Sequence, residues 1–177
     1  MRYLRLFPLL VMACAAPAAA DDHRVDLNAA LSFCAGSTLT GFHISASASE
    51  VFPQIAAAEP KFTFVVDQSN HWGTHEDLDM SRNVTMVGGR LSLPVKGHTQ
   101  WKVLPGLLTG WVHTSLDGDS TDALGLAPGI GVEWVSEYSR QNRAWGARAN
   151  VDYVFITGAG DNFWRASFGG VLRFKKD

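Results

Sequence analysis

From Phe163 to Phe174 the sequence alternates between two chemical characters at every residue. Trp164, Ala166, Phe168, Gly170, Leu172 and Phe174 share one parity; Phe163, Arg165, Ser167, Gly169, Val171 and Arg173 share the other. Successive side chains of a β-strand point to opposite faces, so this segment has one apolar face and one face holding two arginines. The pattern recurs upstream. Trp145, Ala147, Ala149, Val151, Tyr153 and Phe155 oppose Ala144, Gly146, Arg148, Asn150, Asp152 and Val154. Leu124, Leu126, Pro128, Ile130, Val132 and Trp134 oppose Ala123, Gly125, Ala127, Gly129, Gly131 and Glu133. Such a chain must give one face of a sheet an apolar medium and the other a medium that tolerates charge.

Eight strand-like stretches are legible, at about 25–34, 38–49, 61–68, 83–93, 101–113, 123–135, 143–156 and 162–174, separated by clusters of Gly, Asp, Asn, Ser and Pro. Most approach the 9–11 residues of a tilted membrane strand. In the third, Phe62, Phe64 and Val66 oppose Thr63, Val65 and Asp67; the fourth carries Arg90 among mixed neighbours; the fifth does not separate into faces. Pro128 cannot donate to a ladder, so a bulge is expected there. The connections Asp67 to Asn83, His113 to Asp122, Thr157 to Asn162 and the short Ala35 to Thr38 are expected at one end. Val51 to Pro60, Pro94 to Gln100 and Ser136 to Asn142 are expected at the other.

The start of the chain has a basic segment, Met1 to Arg5, an apolar one, Leu6 to Ala16, and the small residues Ala18-Ala19-Ala20 before Asp21. Residues 1–20 therefore read as a secretory signal peptide, and 21–177 as one barrel domain. A rival reading lipidates Cys14 after Val11-Met12-Ala13. Cleavage after Ala20 removes Arg2 and Arg5, so 15 basic and 17 acidic residues become 13 and 17, a net charge of −4. That balance argues against a nucleic-acid partner. Cys34 then has no second cysteine to pair with, which excludes a disulfide-stapled fold. No apolar run beyond residue 20 is long enough for a spanning helix, so a membrane could be crossed only as a closed barrel.

Alternation alone does not say which face looks out. A soluble lipocalin-like carrier would bury the apolar face, whereas a membrane barrel turns it to lipid. Three features favour lipid. No lysine occurs from Val103 through Phe174, and the polar parity is mostly Gly, Ala, Ser and Asn, as a narrow lumen requires. Trp134, Trp145, Phe155, Trp164 and Phe174 lie near strand ends, where aromatic girdles form. The ending, with Ser167, Gly169, Leu172 and Phe174, resembles the C-terminal insertion signal of bacterial outer-membrane β-barrels, although Lys175-Lys176-Asp177 follow it.

Arg148 to Val154, Asn162 to Arg165 and Gly169 to Phe174 together resemble the closing hairpin of the small outer-membrane β-barrel family, which includes porin-like surface antigens and OmpA-type membrane domains. The resemblance implies an all-β, eight-stranded, antiparallel up-and-down transmembrane barrel in the outer membrane of a Gram-negative bacterium. It says little about activity; the expectation is a monomer that meets outer-membrane lipid, lipopolysaccharide and the barrel-insertion machinery, needs no cofactor, and has a non-enzymatic envelope role with or without a narrow pore.

Arg90, Glu133, Arg148, Asp152, Arg165 and Arg173 form the expected lumen charge network, either a constriction or a plug of ion pairs, with the plug favoured. Folding the last hairpin about Ala159 sets Arg165 opposite Tyr153 and close to Asp152, so Asp152 is expected to pair with Arg165. Arg148 would meet Arg173 through Glu133 or another acid. A minority enzymatic reading rests on His113-Thr114-Ser115, which resembles the His-x-Ser pair of lipid A deacylase, with Glu133 or Asp117 to orient the histidine and Leu116 where that family has Asn. His71, His75, Glu76, Asp77 and Asp79 read as a polar loop, and no metal site is expected.

Overall fold

The computed structural model describes residues 24–35, 38–49, 61–137, 139, 141–158 and 161–175. The signal segment with Cys14, the connection 51–60 and the residue Ala159 lie outside them. Eight strands follow in chain order: β1 (Arg24–Ala35), β2 (Leu39–Ser49), β3 (Lys61–His75), β4 (Leu78–Val95), β5 (His98–Leu116), β6 (Asp119–Val135), β7 (Arg143–Ile156) and β8 (Phe163–Lys175). Each pairs antiparallel with the next, and β1 pairs with β8 from Arg24↔Lys175 to Ala35↔Trp164, so the sheet closes on itself. Closure leaves no strand edge to satisfy, the condition for a sheet to cross lipid.

The burial pattern is inside out. Leu31, Leu124, Ile130, Trp145 and Phe168 each expose half or more of their surface on the outer wall. Asp67, Glu133 and Arg165 are sealed inside. A soluble carrier would invert this distribution, so the lipocalin-like alternative is overturned. Aromatic residues cluster toward both ends of the outer wall. Trp134 and Trp145 meet edge-on at 5.3 Å near the end that carries the termini. At the far end Tyr153 packs against Phe155 at 4.7 Å and Trp164 at 4.8 Å, and Phe42 lies 5.5 Å from Trp72. Amphipathic rings favour the membrane–water boundary.

Several sequence expectations are corrected. The supposed long connections after Asp67 and His113 are strand: β3 and β4 turn through Glu76–Asp77, and β5 and β6 through Asp117–Gly118. Glu76 (φ 50), Asp77 (φ 68), Asp117 (φ 47) and Gly118 (φ 93) all have positive φ, the geometry of the two-residue turn whose twist matches a hairpin. Polar side chains extend these hairpins because they stand beyond the apolar wall. At the other end the connection 94–100 shrinks to Lys96–Gly97.

Pro128 sits at no bulge. Its register with Leu107 is regular, and the β6–β7 pairing merely lapses between Leu126↔Phe155 and Gly129↔Asp152 without a shift. The proline lacks a donor on that side and leaves the register intact. The one irregularity between β4 and β5 falls at Pro94/Val95.

The last hairpin pairs Asp152 with Arg165 rather than Tyr153 with Arg165. Directly opposed residues share a face, and Tyr153 faces outward while Arg165 faces the lumen, so a register symmetric about Ala159 is geometrically excluded. The faces of β5 also resolve. Lys102, Leu104, Leu108 and Val112 turn in; Trp101, Leu107, Trp111 and His113 turn out.

Candidate functional site: the filled lumen

The interior has two layers. Cys34, Leu39, Val65, Val84, Met86, Leu108, Val112, Ala127, Val154 and Phe163 pack into an apolar cluster inside the barrel, most of it toward the end without termini, with Val65 reaching into the ionic half. The Arg82 guanidinium caps this layer, 4.1 Å from the centre of the Phe163 ring, and its Nε donates to Thr114 Oγ1 at 3.3 Å. Periodicity does not reveal the apolar layer, because strands apolar on both faces blur the alternation that marks the lumen.

Nearer the termini the lumen is ionic, in two networks. In the first, Arg173 donates from Nε to Asp26 Oδ1 and from Nη2 to Asp26 Oδ2, both at 2.7 Å, and from Nη2 to Glu133 Oε1 at 2.7 Å. Arg148 donates to Glu133 Oε2, from Nε at 3.0 Å and also from Nη2, and reaches Asp26 Oδ2 at 3.3 Å. Two cations and two carboxylates thus neutralise one another, and both Glu133 and Asp26 join Arg148 to Arg173. In the second, Arg165 donates to Asp67 Oδ1 at 2.6 Å, Ser69 Oγ at 3.1 Å and Asp152 Oδ2 at 2.9 Å. His43 Nε2 lies 2.7 Å from the other oxygen of Asp67. Arg90 stands apart, 3.9 Å from Asp152.

The strands explain the assembly. Alternation sends Arg148, Asp152, Arg165 and Arg173 inward from β7 and β8, and the closing seam brings Asp26 directly opposite Arg173. Sequence reasoning did not single out Asp26, Asp67 or His43 as members. Each lies on the inward parity of its strand, which is the signal that could have found them.

Asp67 and Asp152 share Arg165 unequally, which sets up a prediction. Asp67→Ala removes the carboxylate that holds both Arg165 and His43 and leaves Arg165 only Asp152 and Ser69, so the loss should approach the about 3–5 kcal/mol of a broken buried pair. Asp152→Ala leaves Arg165 its bonds to Asp67 and Ser69 and takes from Arg90 only a 3.9 Å contact, so the loss should be smaller. Urea unfolding of the two variants in detergent micelles checks the ranking, and equal losses would contradict it.

The remaining sequence candidates do not assemble. Glu133 is buried in the first ionic network, whereas His113 faces outward at the opposite end of the wall, so His113, Ser115 and Glu133 form no triad. Asp117 sits in the β5–β6 turn, its backbone N–H donating to the Asp79 carbonyl at 2.9 Å, and among the described residues its carboxylate makes no hydrogen bond to His113. His113 Nδ1 instead lies 2.7 Å from Asp122 Oδ1, which also accepts the Trp111 indole N–H at 3.0 Å. Ser115 shares the outward parity of His113 without a hydrogen bond to it among the described residues. His71 leaves the polar hairpin altogether, turning inward with Nε2 2.8 Å from Ser32 Oγ. Of the ending, Ser167 and Gly169 face the lumen, with Ser167 Oγ accepting from Asn150 at 3.3 Å, and Leu172 and Phe174 face out.

A closed, eight-stranded, antiparallel barrel with an apolar outer wall and a largely polar interior is the fold of the small outer-membrane barrels, and solved structures share it. The chain is similar to Neisserial surface protein A (15% identity, TM-score 0.54, 88% of this chain and 96% of that one). It is similar to a major outer membrane protein of Thermus thermophilus (11%, TM-score 0.61, 86% and 99%). It is also similar to Ail, the attachment invasion locus protein of Yersinia pestis (14%, TM-score 0.50, 88% and 100%). Neither a comparison with protein-family models nor one with curated proteins found a match.

Proposed function

We propose that this chain is a non-enzymatic envelope protein of a Gram-negative outer membrane, exported by residues 1–20 and held as a monomer in the bilayer by its apolar wall. The observation that carries the reading is the combination of a lipid-facing exterior with a lumen filled along its length. Ion pairs occupy one half and an apolar cluster the other. Such an interior stabilises a wall rather than conducting through it. The barrel's contribution to the cell then lies in its ends. The end without termini presents Glu76, Asp77, Asp79, Asp117, Asp119 and Asp122 as exposed carboxylates, while Arg82 is turned into the lumen. That acidic rim suits contact with lipopolysaccharide through bridging cations.

The outer-membrane fraction should contain a species whose gel mobility shifts on heating, as a folded barrel's does. The purified protein in a planar bilayer should show no steady ion conductance. Recovery as a soluble periplasmic monomer would sink the membrane reading, and reproducible single-channel steps would replace the plug with the narrow pore. Incubation with lipid A should release no acyl chain; release abolished by Ser115→Ala would instead make the outward His113–Asp122 pair catalytic.

A further inference from the structure

We propose that the lumen holds a buried site for a monatomic anion, liganded by Arg90. All eight strands line a small cavity of about 20 Å³ at the ionic half of the interior. The Arg90 side chain, only 4% exposed, is part of that lining, and neither Nη1 nor Nη2 has a hydrogen-bond partner among the described residues. A buried guanidinium with unused donors is costly, so its donors must find an acceptor. Ser47 Oγ lines the same cavity, is buried, and also has no partner among the described residues. Thr63 and Ser92 add hydroxyls to the wall. Two guanidinium N–H groups and three hydroxyls are a donor set for an anion.

The carboxylates on the wall do not oppose this. Asp26 and Glu133 line the cavity, but their oxygens already accept from Arg148 and Arg173. Asp152, the nearest acid to Arg90, is 3.9 Å away and bonded more closely to Arg165. Four arginines (90, 148, 165 and 173) meet four carboxylates (26, 67, 133 and 152), and Arg24 and Lys102 face inward at the mouth beside the termini. Among the described residues the ionic half thus carries excess positive charge, which raises the local anion concentration. The apolar cluster lies on the far side, so an anion would have to reach the site from the terminal mouth. Its size admits a particle close to a water molecule and excludes phosphate, sulfate and carboxylates.

The test is anomalous diffraction from the full barrel crystallised in sodium bromide, with thermal unfolding in detergent in bromide or chloride against gluconate at equal concentration. The expected result is a bromide peak within hydrogen-bond reach of Arg90 Nη1 or Nη2. The unfolding temperature should be higher in the halides, and the difference should vanish in Arg90→Gln. Should Arg90→Gln fail to fold, Ser47→Ala serves, because its hydroxyl bonds nothing else among the described residues; it should raise the half-stabilising bromide concentration several-fold. Water alone at Arg90, or a halide effect that survives Arg90→Gln, would overturn the site.

Discussion

Glu133→Ala is expected to lower the stability of the folded barrel by about 3–5 kcal/mol, the loss seen when one partner of a buried ion pair is removed. Glu133 is wholly buried and accepts from both Arg148 and Arg173, so its deletion leaves two guanidinium groups dependent on Asp26. Urea unfolding in micelles measures the loss, and tryptophan emission can report it because the tryptophans lie on the wall. Glu133→Gln keeps one acceptor oxygen and should lose less. Replacing Glu133 and Arg148 together by apolar residues of similar volume should restore much of the stability, since Arg173 keeps its two bonds to Asp26 and no lone charge remains. If water enters the lumen freely, Glu133→Ala would cost only the ~1 kcal/mol or less of an exposed pair. That outcome would remove the filled lumen from the argument.

The strands nearest the C-terminus were the most legible, for a physical reason. In β7 and β8 Arg148, Asn150, Asp152, Arg165, Ser167 and Arg173 all fall on the inward parity while the outward parity is mostly aromatic and aliphatic, so periodicity alone fixes both faces. The same logic failed in β5. Leu104, Leu108 and Val112 face the lumen and Val103, Leu107 and Trp111 face outward, so both parities are apolar and no alternation survives. The connections misled for a related reason. Residues such as Asn70, Ser81 and Thr114 look like loop residues, yet each lies within a strand of an extended hairpin. Inward arginines could be read from β7 and β8, but their partners could not. Asp26 lies 147 residues from Arg173 in sequence, and only closure of the barrel joins them.

Gly169 and Gly170 look interchangeable in the sequence, but their substitutions are expected to diverge sharply. Gly169 faces the lumen at the β1–β8 seam, and a Cβ added there would lie 2.0 Å from the Ala29 carbonyl oxygen and 2.4 Å from Ala30 Cα. Backbone cannot swing aside as a side chain can, so β1 and β8 would have to part where the barrel closes. Gly169→Ala should therefore cost about 3 kcal/mol or more, the upper end for overpacking. Gly170 faces outward, and a Cβ there meets nothing nearer than the Gly146 carbonyl oxygen at 4.0 Å. Gly170→Ala should be neutral or mildly stabilising, because it relieves the entropic penalty of glycine in a strand. The pair also separates two roles for the C-terminal pattern. If Gly169 matters because it keeps the seam closed, Gly169→Ala will refold poorly into detergent with no cellular machinery present, measured as loss of the heat-shifted gel band. If it refolds normally in vitro but fails to reach the membrane in cells, the glycine acts as a recognition element and the steric account of the seam is wrong.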